Sequence, residues 1–275
     1  MSVPVAPSRF GRALGVLGAL AVVLAAAFVV VPPTLAGDFA DERDLREAFR
    51  EAFVEYWRSG ARDFSPALES AVDYWFWYHV TKGVIAALLL IVFVALGVLL
   101  WRAFLRARGL DAGRNVALAS SGMIVTALGV FSLLAVMANV QGAVAPYASL
   151  LPMLTGGDTD GELAETLDQV RQRLAESLSG GGETPALAVM ISDFSLYHVA
   201  MAVIAAVVAI VLLALNVVVW KRFARATDTR ARRVSGSFGV LAALSSLASI
   251  VVVVANTTTA ADPGPALSAL FDGGW

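Results

Sequence analysis

Residues 66–107 read PALESAVDYWFWYHVTKGVIAALLLIVFVALGVLLWRAFLRA, and residues 185–226 read PALAVMISDFSLYHVAMAVIAAVVAIVLLALNVVVWKRFARA. The two stretches align without a gap, and 19 of 42 positions are identical. In a chain this rich in Ala, Val and Leu such letters match by chance, so the weight falls on the uncommon pairs: Pro66 with Pro185, Tyr78 with Tyr197, His79 with His198, Trp101 with Trp220, Phe104 with Phe223 and Arg106 with Arg225. A second block, displaced by 117 residues instead of 119, pairs Ser120 with Ser237, Gly122 with Gly239, Ser132 with Ser249, Asn139 with Asn256 and Pro146 with Pro263. The two-residue change falls in a basic turn, where length is tolerated.

Each copy contains uncharged runs long enough to cross a bilayer, whose hydrocarbon core takes about 20 residues of helix. Five such runs occur, at 13–31, 83–101, 116–138, 200–220 and 234–256. The whole chain is 58% hydrophobic and 15% charged with mean hydropathy +0.75, outside the balance of a soluble domain. Backbone groups in lipid must be satisfied internally, and no alternation of period two is present, so the runs are read as helices and not as strands of a barrel. The expectation is an all-α polytopic membrane protein with five transmembrane helices. Two tandem parallel helical-hairpin repeats, related by a pseudo-twofold axis along the membrane normal, carry a small helical outer cap.

Charge then sorts the connections. Arg9 and Arg12 precede the first run, Arg102, Arg106, Arg108 and Arg114 separate the second from the third, and Lys221, Arg222, Arg225, Arg230, Arg232 and Arg233 separate the fourth from the fifth. By the positive-inside rule these are cytoplasmic. The other two connections are acidic: Asp38–Asp73 holds ten acids against five arginines, and Asp158–Asp193 eight against two. They face outward, as does the end at Trp275, in a multi-pass protein of the cell membrane with a cytoplasmic N-terminus. Thr34-Leu35-Ala36 before Gly37 imitates a signal-peptide cleavage site, but 19 uncharged residues exceed an ordinary signal core, and the first run is read as retained. The net charge of −2 and the lack of a long basic run point away from nucleic acid.

The organisation follows. Residues 1–64 supply the first span and an amphipathic helix over 39–58, with Leu45, Phe49, Phe53 and Trp57 at spacings of four. Residues 65–150 are the first hairpin. Residues 151–183 are an outer loop with Leu163, Leu167, Val170, Leu174 and Leu178 on one helical face, opened by the capping-box pair Thr159 and Glu162. Residues 184–275 are the second hairpin and an outward C-terminal tail. The two amphipathic helices are expected to pack on each other as a cap, or else to receive a protein partner; the spans meet the lipid bilayer.

Histidine occurs twice, at matched positions, His79 and His198, with Asn139 and Asn256 at a similar depth on the returning helices. A symmetry-related pair of neutral imidazoles would suit haem or a transition metal, with Asp73, Asp193, Asn139 and Asn256 as supporting acceptors. The competing reading is interfacial: Tyr74, Trp75, Trp77 and Tyr78 resemble an aromatic belt, and an asparagine seven residues before a proline suits a helix C-terminal turn. Cysteine is absent, phosphate-binding glycine loops and zinc-protease motifs are absent, and no ionisable residue lies inside the five runs, which disfavours a proton-coupled pump. The leading expectation is a non-enzymatic scaffold or accessory subunit. A haem- or metal-binding redox protein and a small-solute transporter or channel are the alternatives.

Overall fold

The computed structural model describes residues 9–37, 39–107, 112–157, 159 and 161–273. The readings that involve Asp38, Arg108, Asp158 and Trp275, and the side chain of Arg9, fall outside them. The described residues form ten helices and no strand: α1 (Arg9–Ala36), α2 (Glu42–Ser59), α3 (Pro66–Arg106), α4 (Ala112–Val144), α5 (Pro146–Leu150), α6 (Pro152–Thr155), α7 (Gly161–Leu178), α8 (Pro185–Arg225), α9 (Thr229–Ala261) and α10 (Pro263–Phe271). Five of them, α1, α3, α4, α8 and α9, are long and apolar enough to cross a membrane.

Local sequence sets the ends. Asp41 caps α2 by accepting from the Arg43 and Asp44 amides at 2.8 and 3.0 Å, which holds its carboxyl below the usual 3.8, and Gly60 closes the helix at φ +63°. The paired Ser/Thr-Pro-Ala-Leu segments are helix starts: Ser65 Oγ and Thr184 Oγ1 accept from the Leu68 and Leu187 amides, each at 3.4 Å, with Pro66 and Pro185 in the first turn. Helices α3 and α8 each run 41 residues. At 1.5 Å per residue that is about 60 Å, twice the hydrocarbon thickness, so their first turns project beyond the apolar layer.

Those projecting turns meet α2, α5, α6, α7 and α10 in the main hydrophobic core, which contains Phe49, Phe53, Tyr56, Tyr147, Leu154, Leu167, Leu187 and Phe271 at 3% exposure or less. A fully buried side chain of this size contributes about 1.5–3 kcal/mol over an exposed one. The stripes of α2 and α7 therefore point inward, and the two helices pack together. We call this assembly the cap. The spans differ in kind. The most hydrophobic window of α1 is 6% buried and that of α9 11%, while Val22, Ile91, Phe131 and Ile210 are each more than 60% exposed. Apolar surface on that scale needs lipid against it.

Along the spans, α1 packs on α3, α3 on α4, α4 on α8 and α8 on α9. The α1–α3 contact runs through Leu14, Leu17, Ala21 and Leu24 against Val92 and Leu96, while Gly15 and Gly18 face open space. Near the cap, Gln141 of α4 donates to the Tyr197 carbonyl of α8 at 3.1 Å. Helix α9 meets α3 at the opposite end, where Arg230 donates to the Phe104 and Ala107 carbonyls at 3.0 and 3.1 Å and Phe238 meets Trp101 edge-on. A twofold axis along the membrane normal would place these two contacts at one depth and between equivalent residues. Thr258, which stands where Gln141 does, instead bonds the Val254 and Ala255 carbonyls of its own helix. The two inter-hairpin contacts therefore lie at different depths, a skew between the helix pairs: near the cap between α4 and α8, and near the basic end between α3 and α9.

Two other expectations change. The tail after Pro263 is a packed helix whose Leu267, Leu270 and Phe271 are buried in the cap. Asn139 and Asn256 are not terminal, because their helices each continue five residues further, to Val144 and Ala261. Within α8, Asn216 has a buried side-chain carbonyl oxygen without a hydrogen-bond partner.

Candidate functional site

Four repeat-matched residues lie just below the cap, His79 on α3 and His198 on α8, Asn139 on α4 and Asn256 on α9. Each histidine is set against the asparagine of the helix that follows its own. His198 is 8% exposed, and its Nδ1 lies 2.8 Å from Asn256 Oδ1. The orientation of that amide is fixed, since Asn256 Nδ2 donates to the Val252 carbonyl at 2.9 Å. Oδ1 is an acceptor only, so His198 Nδ1 carries the proton, and a neutral ring then presents a lone pair at Nε2. That Nε2 is buried and has no partner.

The first copy differs in detail. Asn139 donates its amide to the Ala135 carbonyl at 2.7 Å and stands beside His79. The His79 ring lies flat against α4 at Gly142, where an added Cβ would come within 2.0 Å of Cδ2 and 2.2 Å of Nε2. Only a residue without a side chain admits the imidazole there. His79 Nδ1 is buried without a partner, and the ring is flanked by Trp75 at 4.7 Å and Tyr78 at 5.8 Å between centroids. His198 is flanked in the same way by Phe194 at 4.7 Å and Tyr197 at 5.5 Å.

The remaining predicted residues have other partners. Asp193 accepts from the Ala148 amide at 2.7 Å, supplying from α8 the cap that Ala145 cannot give to the start of α5. Asp73 is exposed and lines a shallow groove with Ala36, Gly37, Phe39 and Tyr74. The aromatic belt divides: Trp77 is 54% exposed, whereas Tyr74 is buried in the cap core and Trp75 Nε1 donates to Ser149 Oγ at 2.7 Å. Lys82 donates to Tyr78 Oη at 2.8 Å, one turn nearer the cap, and lies over the Phe28 and Tyr78 rings.

No contact joins the two histidines among the described residues, and α4 stands between their helices, turning Gly142 to α3 and Gln141 to α8. No group of three or more His, Asp or Glu side chains assembles among the described residues either. What the arrangement supplies chemically is two aromatic-walled imidazoles, each with one buried nitrogen that no hydrogen bond engages, in His198 the lone-pair nitrogen. Sequence reasoning missed Gly142, Gln141 and Arg230. The first two adjoin Asn139 on the same helix, a local cue that a helix continuing past the asparagine would have exposed. Comparisons of the chain with protein-family models, with curated proteins and with solved structures return no match.

Proposed function

We propose that this chain is a non-enzymatic scaffold or accessory subunit of the cell membrane, in which five spans hold a helical cap on the extracytoplasmic side. The observation that carries the reading is where packing is invested. The main core is built by the cap helices and the first turns of α3 and α8, while among the spans α3 is the most buried, at 44% of its most apolar stretch, and α1, α8 and α9 bury under a fifth of theirs. Residues 65–150 and 184–275 serve as two tandem hairpins, and residues 1–64 and 151–183 contribute the cap helices α2 and α7. The arginine-rich ends of α3, α4, α8 and α9 favour the cytoplasmic side for the N-terminus and the outer side for the C-terminus.

In this reading the apolar stripes of α2 and α7 are spent inside the cap, so a protein partner meets their polar faces. The junction of α2 and α7 is a shallow cleft lined by Arg50, Glu51, Glu55, Arg58 and Glu162, with Arg58 paired to Glu162 at 3.2 Å on the surface. A photocrosslinker in place of Glu55 in living cells is expected to give one discrete protein adduct, while purified protein is colourless and metal-free and passes no solute in proteoliposomes. A haem band, stoichiometric metal lost on His79→Ala or His198→Ala, or solute flux would overturn the scaffold reading.

One observation favours a second reading. Both histidines keep a buried nitrogen without a partner, and an orphaned buried polar atom commonly marks an absent ligand or water. His79 and His198 would then each hold haem or a transition metal separately, with Asn256 fixing the tautomer of His198. The same optical spectrum and metal analysis decide it.

A further inference from the structure

The skew of the spans leaves a cleft of about 630 Å³ at their basic end, between α3 and α4 on one side and the end of α8 and start of α9 on the other. Its walls are apolar and include Phe93, Val94, Val125 and Val130, of which Val94 is 56% and Val130 41% exposed. The cleft therefore opens onto the surface that the spans turn to lipid. Two charged side chains line it, Arg102 near the end of α3 and Arg222 near the end of α8, both exposed, and no acid does. Two hydroxyls also line it, Ser235 and Thr126, and that of Thr126 is already committed, donating to the Gly122 carbonyl at 2.7 Å and accepting from Trp101 Nε1 at 3.2 Å. Arg230 ties α9 to the last carbonyls of α3, which holds the helix ends in register around the opening.

We propose that this cleft binds an anionic glycerophospholipid from the leaflet nearer the basic turns, with an acyl chain along the apolar walls and the phosphate between Arg102 and Arg222. The composition of the site selects this occupant. Apolar walls at span depth take hydrocarbon, and guanidinium groups at the hydrocarbon boundary offer paired donors matched to phosphate oxygens. Basic pockets between transmembrane helices at this level are sites for anionic headgroups. A zwitterionic lipid brings its own cation to the same arginines and gains less.

The test is retention of lipid by the full-length protein in mixed micelles, read by native mass spectrometry with phosphatidylglycerol or phosphatidylcholine as the added lipid. Phosphatidylglycerol is expected to be retained about tenfold more, and R102Q/R222Q to bring the ratio to within about twofold of unity. R225Q/R233Q, an equal loss of two charges outside the cleft, leaves the preference intact, and V94W/V130W, which fills the cleft but keeps both arginines, abolishes it. Equal retention of the two lipids by the unaltered protein, a preference that survives R102Q/R222Q or V94W/V130W, or one that disappears in R225Q/R233Q, would overturn the assignment. Photoreactive phosphatidylglycerol labels peptides of α3, α4, α8 and α9 that line the cleft if it is right; labelling confined to α1 or to stretches of the spans away from the cleft contradicts it.

Discussion

Asn256 uses its amide twice, giving Nδ2 to the Val252 carbonyl and Oδ1 to His198. Removing it leaves a buried N–H without an acceptor, so Asn256→Ala is expected to cost about 1–3 kcal/mol, whereas His198→Phe with Asn256→Leu replaces both polar partners and costs less than the single change. Unfolding in detergent followed by circular dichroism checks this, and additivity of the two single changes would argue against the bond. Gly142→Leu drives a side chain into the His79 ring and is expected to destabilise by about 1–3 kcal/mol, while Gly18→Ala, which meets open space, leaves the melting temperature unchanged or raises it slightly. At this scale the repeat singled out four residues that the structure sets in two histidine–asparagine neighbour pairs. It could not say that each histidine meets the asparagine of its own hairpin, because alignment reports equivalence and not distance.

Among the elements, α2 and α7 were legible from apolar residues at helical spacing, and their inward orientation follows from the same stripe. Helices α5, α6 and α10 were not. Each begins at a proline that reads as a stop signal, and two of them are too short, at five and four residues, to show a period. Their burial comes from neighbours distant in sequence: Phe271 offers its carbonyl to Arg171, and Tyr147 packs against Phe49 and Phe64. The cap is thus where truncation should hurt. Phe49→Ala is expected to cost about 3–5 kcal/mol, against little for Phe131→Ala on the lipid face, which is 66% exposed. Thermal unfolding of the two variants side by side decides it. Equal losses would mean that the cap core is not the stabilising centre.

For the molecule as a whole, hydropathy located all five spans, and the helices extend beyond the uncharged runs wherever capping and the cap core hold them. Skew between the helix pairs was not legible, because it depends on Arg230, Phe238 and Gln141, which have no repeat equivalents in those roles. Under the proposed topology the cap and the basic turns lie on opposite faces of one membrane. The chain contains no cysteine, so a single introduced thiol reports its own side without background. A membrane-impermeant maleimide applied to intact cells is expected to label Glu162→Cys in the cap and to leave Thr227→Cys in the α8–α9 turn unlabelled until the cells are permeabilised. Labelling of Thr227→Cys in intact cells, or labelling of both thiols alike, would contradict the account.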